Sequence, residues 1–474
     1  MKMKKAPKGF FTPILLAAIF LSLQNRLFAQ DAVVKGPLGQ RLDALIQKAE
    51  ERGFHGNVLI AQKDEVVLLK GYGLANQAAQ TRFTPATLVQ IGSNVKDFTK
   101  VAIFQLVEKN QLKLSDTLDR FIEGLSTETG GVTIANLLEH TASLPLGMGG
   151  DDYPLTRDEM LQRLRSLKLA SPPGSKKQYS NIGYSLLAFI VEKLSGQSFD
   201  AYVAKEILEP LGMRETGTYI PKLDQTRIAH GYSGDVDKGI ILDMPHDAEG
   251  HLWNLRGNGG YLSTLAEMHA FYKALRDFKL IKDPALRDKV FNPGEAGVFA
   301  GSDMVSFFLF ANFPGVDAVV FIATNHSAFK GPALLREIEP VLGIADRGER
   351  RITGRENNVT APMLDKLPDT GIGRTIGEYL KAFNSGDVEI MRKFFTERSL
   401  QGPDSPSMDV RLERYRSMFG NLKQLTFQGL RQSPEGEGWE VTALTGSGET
   451  ATLTFSIEES EPFRFRGVRV MIGG

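Results

Sequence analysis

The sequence predicts a two-domain α+β chain: an antiparallel sheet flanked by helices over residues 38–343, then a small α+β unit over 369–474. Three observations carry this expectation. Apolar strand-like segments open the first region and return at its end with helical patterns between them, so both ends feed one sheet. Residues 344–368 are polar, aperiodic and rich in charge, Gly and Pro, which reads as a linker. The length, 474 residues, is too great for one ordinary core.

The elements follow in order. "GFHGNVLIAQKDEVVLLKGYGLA" reads as two strands joined at Lys63-Asp64-Glu65. From Ser93 to about Lys109 runs a helical pattern apolar on nearly every face, the mark of a buried helix. "VTIANLLEHTASLP" predicts a short helix ended by Pro145, and two further helices are punctuated by Gly196 and by Pro210-Leu211-Gly212. Another begins near Ser263 or Thr264, and "MVSFFLFANF" and "DAVVFIATN" form a strand pair about Pro314-Gly315. Beyond the linker come two helices broken at Asn384-Ser385-Gly386-Asp387, then four alternating strand segments.

Composition narrows the function classes. Lys+Arg and Asp+Glu both number 56, and a chain without basic excess is a poor partner for nucleic acid or an anionic membrane. With no cysteine, thiol nucleophiles, disulfides and cysteine-ligated metals are excluded. No metal or cofactor motif is present, so none is expected. Lys2, Lys4, Lys5 and Lys8 precede an apolar stretch from about Phe10 to Leu23, too short to span a membrane comfortably, with Ala29 suited to cleavage. Residues 1–29 therefore read as a signal peptide, with an uncleaved anchor as the alternative, and the working part as periplasmic or secreted without a stable membrane span.

The chemistry concentrates at two stretches. Ser93 and Lys96 stand three residues apart at the mouth of the buried helix, which stacks the amine one turn from the hydroxyl. An ammonium buried there is expensive to desolvate, which favours the neutral base, and a helix N-terminus supports negative charge at the serine oxygen. The same spacing at Ser327-Ala328-Phe329-Lys330 follows a strand, where the lysine is expected to face solvent. The second stretch is Tyr179-Ser180-Asn181, just before a helix. A phenol beside an ammonium can relay a proton, and the amide can bind a carbonyl or hold the lysine. Read alone, each stretch is equally an ordinary helix cap or turn.

Together the two stretches resemble the serine β-lactamase and penicillin-binding-protein superfamily, especially its class C β-lactamase, D-Ala-D-Ala carboxypeptidase and family VIII carboxylesterase branch. Ser-x-x-Lys falls at Ser93–Lys96 and Tyr-x-Asn at Tyr179–Asn181. "VTIANLLEHTASLP", "LEPLGMRETG" and "GNGGYLST" resemble three framework segments of that family in the same order, with His140 a shared framework residue. The resemblance implies a β-lactamase/transpeptidase-like sheet with an all-helical subdomain. It also implies a Ser93 acyl-enzyme served by Lys96 and Tyr179, with the acylation base open between the two. Substrates would be small esters, amides or peptides.

The pattern breaks at the family's third motif, a Lys-Thr-Gly or His-x-Gly on a strand lining the site. Alignment on the following strands places it at Phe299-Ala300-Gly301, which keeps the glycine and loses the cation and the hydroxyl. A carboxylate would be desolvated against Phe299 with little compensation. The expected substrates are accordingly neutral esters or small amides, bound with the help of Asn181, Phe299, Gly301 and Ser302, with the Ser93 and Ser302 amides as oxyanion donors. The alternatives are a β-lactamase or D-Ala-D-Ala carboxypeptidase, or a degenerate fold kept for binding. The C-terminal unit weakly resembles the cone-like fold of nuclear-transport-factor-two-like proteins and is expected to be accessory.

Overall fold

In the computed structural model the described residues are 31–344 and 364–472, apart from short stretches at 150–152, 219–222, 235, 245–251, 304, 327–330, 365, 401–405, 433–437, 447, 449 and 459–460. Outside them lie the expected signal peptide, most of the expected linker and the second Ser-x-x-Lys at 327–330. The chain separates into two compact units, Met1–Gly354 and Arg355–Gly474. Among the described residues no helix is long and apolar enough to cross a membrane.

The first unit is built on β1 (Val33–Val34), β2 (Gly56–Gln62), β3 (Glu65–Tyr72), β4 (Gly297–Asp303), β5 (Ser306–Phe313) and β6 (Ala318–Thr324). They pair antiparallel in the order β1-β3-β2-β6-β5-β4. β6 lies beside β2 with Phe321 opposite Leu59, so the two ends of the unit close one sheet. The hairpin between β2 and β3 turns through Lys63 and Asp64, both left-handed at φ 53° and 61°.

Alternation along the strands gives the sheet two apolar faces. On β6, Val320 and Ile322 join the cluster formed with α1 (Gly36–Glu51), while Phe321 and Ala323 join the larger helical core. That larger core holds α2 (Val95–Glu108), α3 (Ile134–Leu138), α4 (Asn181–Ser195) and α5 (Leu265–Arg276), and α6 (Gly331–Val341) packs in the α1 cluster. α2 is buried on nearly every face, as its all-round apolar pattern requires.

One boundary differs from expectation. α3 ends at Leu138, seven residues before Pro145, because His140 adopts a left-handed φ of 58° that no helix continues.

The second unit comprises α7 (Gly371–Asn384), α8 (Val388–Arg398), α9 (Met408–Leu422) and an antiparallel sheet β7-β8-β9-β10 (Leu425–Gln432, Trp439–Thr445, Thr450–Ile457, Phe465–Ile472) around its own core. α9 is a helix not expected from the sequence pattern. Its charged residues mask a one-sided stripe of Met408, Leu412, Tyr415, Phe419 and Leu422, and Ser407 caps it.

Candidate active site

A short 3₁₀ turn, Gly92–Asn94, feeds directly into α2 and sets Ser93 at its mouth. Lys96, one turn on, is 4% exposed, so its amine must find partners inside the protein. Its Nζ lies 3.1 Å from Ser93 Oγ and donates to Asn181 Oδ1 at 2.8 Å and to the Asn258 carbonyl at 3.1 Å. An ammonium has three donors, and these partners take all three. In the neutral amine, two N–H groups can stay on Asn181 and Asn258 while the lone pair faces the serine, which is the geometry of a general base.

Tyr179 approaches Ser93 from the other side, with its hydroxyl 2.8 Å from Oγ. The Lys96 nitrogen lies 4.8 Å from the centre of the Tyr179 ring, so the phenol and the amine share one small volume. Tyr179 precedes α4, whose N-cap Ser180 accepts the Gly183 amide at 3.1 Å and donates to the Pro145 carbonyl at 2.7 Å. Asn181 is the first residue of that helix, which directs its amide at Lys96.

His140 holds the tyrosine segment at three points. Its carbonyl accepts from the Gln178 amide at 2.7 Å, its Nδ1 accepts from the Ser180 amide at 3.1 Å, and its ring stacks on Tyr179 with centroids 4.4 Å apart. Burial, then the charges of Lys96, Lys100 and Lys177, hold the imidazole well below its usual range, so it is neutral near pH 7.

Strand β4 meets the serine backbone to backbone. A Cβ on Gly301 would collide with the Ser93 nitrogen and sit 2.9 Å from Asn94 Nδ2, so only glycine lets the chains approach. Gly92, at φ 52°, faces the Ser302 nitrogen in the same way, so the Ser93 and Ser302 segments run close together. The buried Asp303 accepts the Gly260 amide at 2.8 Å and so ties β4 to the turn that presents the Asn258 carbonyl.

Ser93, Lys96, Tyr179 and Asn181 thus converge through side chains, and Gly301 and Ser302 through backbone. Phe299 is half-buried and packs its ring against Phe310, Phe291 and Tyr272 at 5.6, 6.2 and 6.4 Å. It meets the others indirectly: the Tyr272 hydroxyl donates to Asp97, the neighbour of Lys96, at 2.8 Å. The part played by Asn258 was not legible, because a backbone carbonyl carries no residue signature. His140 stood in a recognised segment, but its hold on Tyr179 exists only in three dimensions. Among the described residues, no group of three or more His, Cys, Asp or Glu is placed to hold a metal ion.

Comparison with known proteins bears on the family and the fold. Residues 42–306 match the Beta-lactamase family. A penicillin-binding protein of Bacillus subtilis (strain 168) is 31% identical over 260 residues, covering 52% of this chain and 57% of that protein. The chain spans 62% and 57% of the length of the first two curated relatives. FmtA from Staphylococcus aureus shares the fold at TM-score 0.58 and 18% identity, over 71% of this chain and 98% of that one. A D-amino acid amidase from Ochrobactrum anthropi SV3 does so at TM-score 0.54 and 18% identity, over 65% and 98%.

Proposed function

The chain belongs to the Beta-lactamase family, and we propose that it is an exported serine hydrolase that cleaves neutral esters or small amides through a Ser93 acyl-enzyme. The observation that carries this reading is the convergence on Ser93 Oγ of Tyr179 at 2.8 Å and Lys96 at 3.1 Å. Ser93 attacks the substrate carbonyl while one of these two groups takes its proton. The carbonyl oxygen gains charge between the Ser93 and Ser302 amides, and the proton passes to the leaving alcohol or amine. Water then attacks the acyl-enzyme by the reverse relay, releasing the acid and restoring the serine.

Preference for neutral substrates rests on Phe299-Ala300-Gly301. An aromatic ring and a methyl group stand where the family carries a cation and a hydroxyl, so a substrate carboxylate has no partner from this strand. The C-terminal unit, with its own core, is read as an accessory domain.

Intact mass after mixing with p-nitrophenyl butyrate, beside Ser93→Ala, tests the nucleophile. A transient butyryl adduct absent from the variant is expected. Absence of any adduct favours a binding protein on the same fold. Rapid turnover of a cephalosporin in the same assay overturns the preference for neutral substrates.

A further inference from the structure

A second cavity lies between the sheet and α5, apart from the Ser93 group. It measures about 150 Å³ and is walled by Tyr272, Phe291, Phe310 and Phe321, with Ala61, Ala318 and Val319 also in its apolar lining. A volume of this order has room for one benzene-sized ring. The rings already stack on one another, Phe310 on Tyr272 at 3.9 Å and on Phe321 at 4.8 Å, so a further flat ring has surfaces of the same kind to meet.

The lining is not purely apolar. Lys273 and Arg276 share two carboxylates: Asp64 of the β2–β3 turn, at 3.6 Å and 2.6 Å, and Asp277, at 3.1 Å and 3.0 Å, which lies outside the cavity lining. Asp64 is 57% exposed, and so exposed a pair adds little stability. A ligand carboxylate seated in the cavity can therefore replace it against the same two cations. Arg276 offers the planar fork that suits a carboxylate, and the His269 imidazole of the lining offers a ring N–H. Asp317, also in the lining, disfavours a second negative charge.

We propose that this cavity is a binding site for small aromatic monocarboxylates of the size of benzoate, with the ring among Tyr272, Phe310 and Phe321 and the carboxylate on Arg276 and Lys273. The site touches the catalytic region through two side chains. Tyr272 donates to Asp97 beside Lys96, and Phe310 stacks on Phe299 of β4. An occupant is thus placed to bear on both the helix and the strand that meet at Ser93.

The test is binding of benzoate to the full chain, followed by calorimetry and by the rise in Tm. Saturable binding is expected that is at least fivefold weaker in Arg276→Met, abolished by the filling substitution Val319→Phe and unchanged in Ser93→Ala. Benzyl alcohol should bind at least fivefold more weakly than benzoate. The site is overturned by no saturable benzoate binding, by binding that survives in both Arg276→Met and Val319→Phe, or by binding lost in Ser93→Ala, which would place the ligand at the catalytic serine. Benzyl alcohol binding as tightly as benzoate overturns the carboxylate class. Because the readout is binding, failure here leaves the hydrolase reading untouched.

Discussion

The imidazole of His140 lies stacked on the Tyr179 phenol, centroids 4.4 Å apart, while its Nδ1 accepts the amide of Ser180 next in sequence. The stack limits how far the phenol can swing from Ser93. His140→Asn keeps a side-chain acceptor and tolerates the left-handed backbone, yet removes the ring. An aromatic stack contributes roughly 0.5–1.5 kcal/mol, so about a three- to tenfold fall in kcat is expected with little change in Tm. Unchanged kcat on p-nitrophenyl butyrate would remove His140 from the positioning of Tyr179.

Gly301→Ala should separate activity from stability. Its Cβ would press on the Ser93 nitrogen and force strand β4 away, spoiling the alignment of the two amides. Loss of one such donor costs about 100- to 1000-fold in kcat. A loss of that order is expected, with a folded circular-dichroism spectrum. Activity within fivefold of the parent would mean the two amides do not act together.

Acid should weaken the fold through its buried imidazoles. Burial, with Lys273 and Arg276 adding to it and Asp64 opposing, holds His269 down at about 4, against about 6.5 when unfolded. Between these values the unfolded chain binds the extra proton. The stability from neutral His269 is therefore complete above pH 6.5 and lost as pH falls towards 4. At most about 3 kcal/mol is at stake, from 1.4 kcal/mol per pH unit. His269→Gln should show a smaller fall in urea-unfolding free energy between pH 7 and pH 4.5 than the parent. Parallel curves would contradict the assignment.

A buried charge cluster supports the turn that presents Asn258. Arg256, its side chain 4% exposed, pairs with Glu192 at 2.6 Å and Asp200 at 2.9 Å, and Asp200 accepts the Tyr261 hydroxyl at 2.8 Å. Asp200→Ala leaves the guanidinium half-paired, and breaking such a pair costs about 3–5 kcal/mol. Urea unfolding should show a loss of that order; less than 1 kcal/mol would mean that water reaches the cluster.

A chain ending at residue 365 should keep ester hydrolysis largely intact, since the first unit closes its own sheet from both ends. Complete loss of activity in a truncation that still unfolds cooperatively would give the second unit a direct part in catalysis.

The sequence by itself determined the sheet closed from both ends, the buried helix and the pairing of Ser93 with Lys96. Each depends on local period: two for strands, and one helical turn for the serine and lysine. Turn chemistry likewise marked the β2–β3 hairpin and the Tyr179–Asn181 approach to α4. What the tertiary structure alone decided involves groups far apart in the chain or without side-chain identity. The Asn258 carbonyl on Lys96, the Asp303–Gly260 tie, the His140 stack and the aromatic cavity walled by Tyr272, Phe310 and Phe321 are all of this kind. Helix α9 lies between the two cases, with its apolar stripe present but outnumbered by the charges of its solvent face. Local spacing fixes which atoms a segment can present; packing between distant segments fixes which of them meet, and the candidate site is made of those meetings.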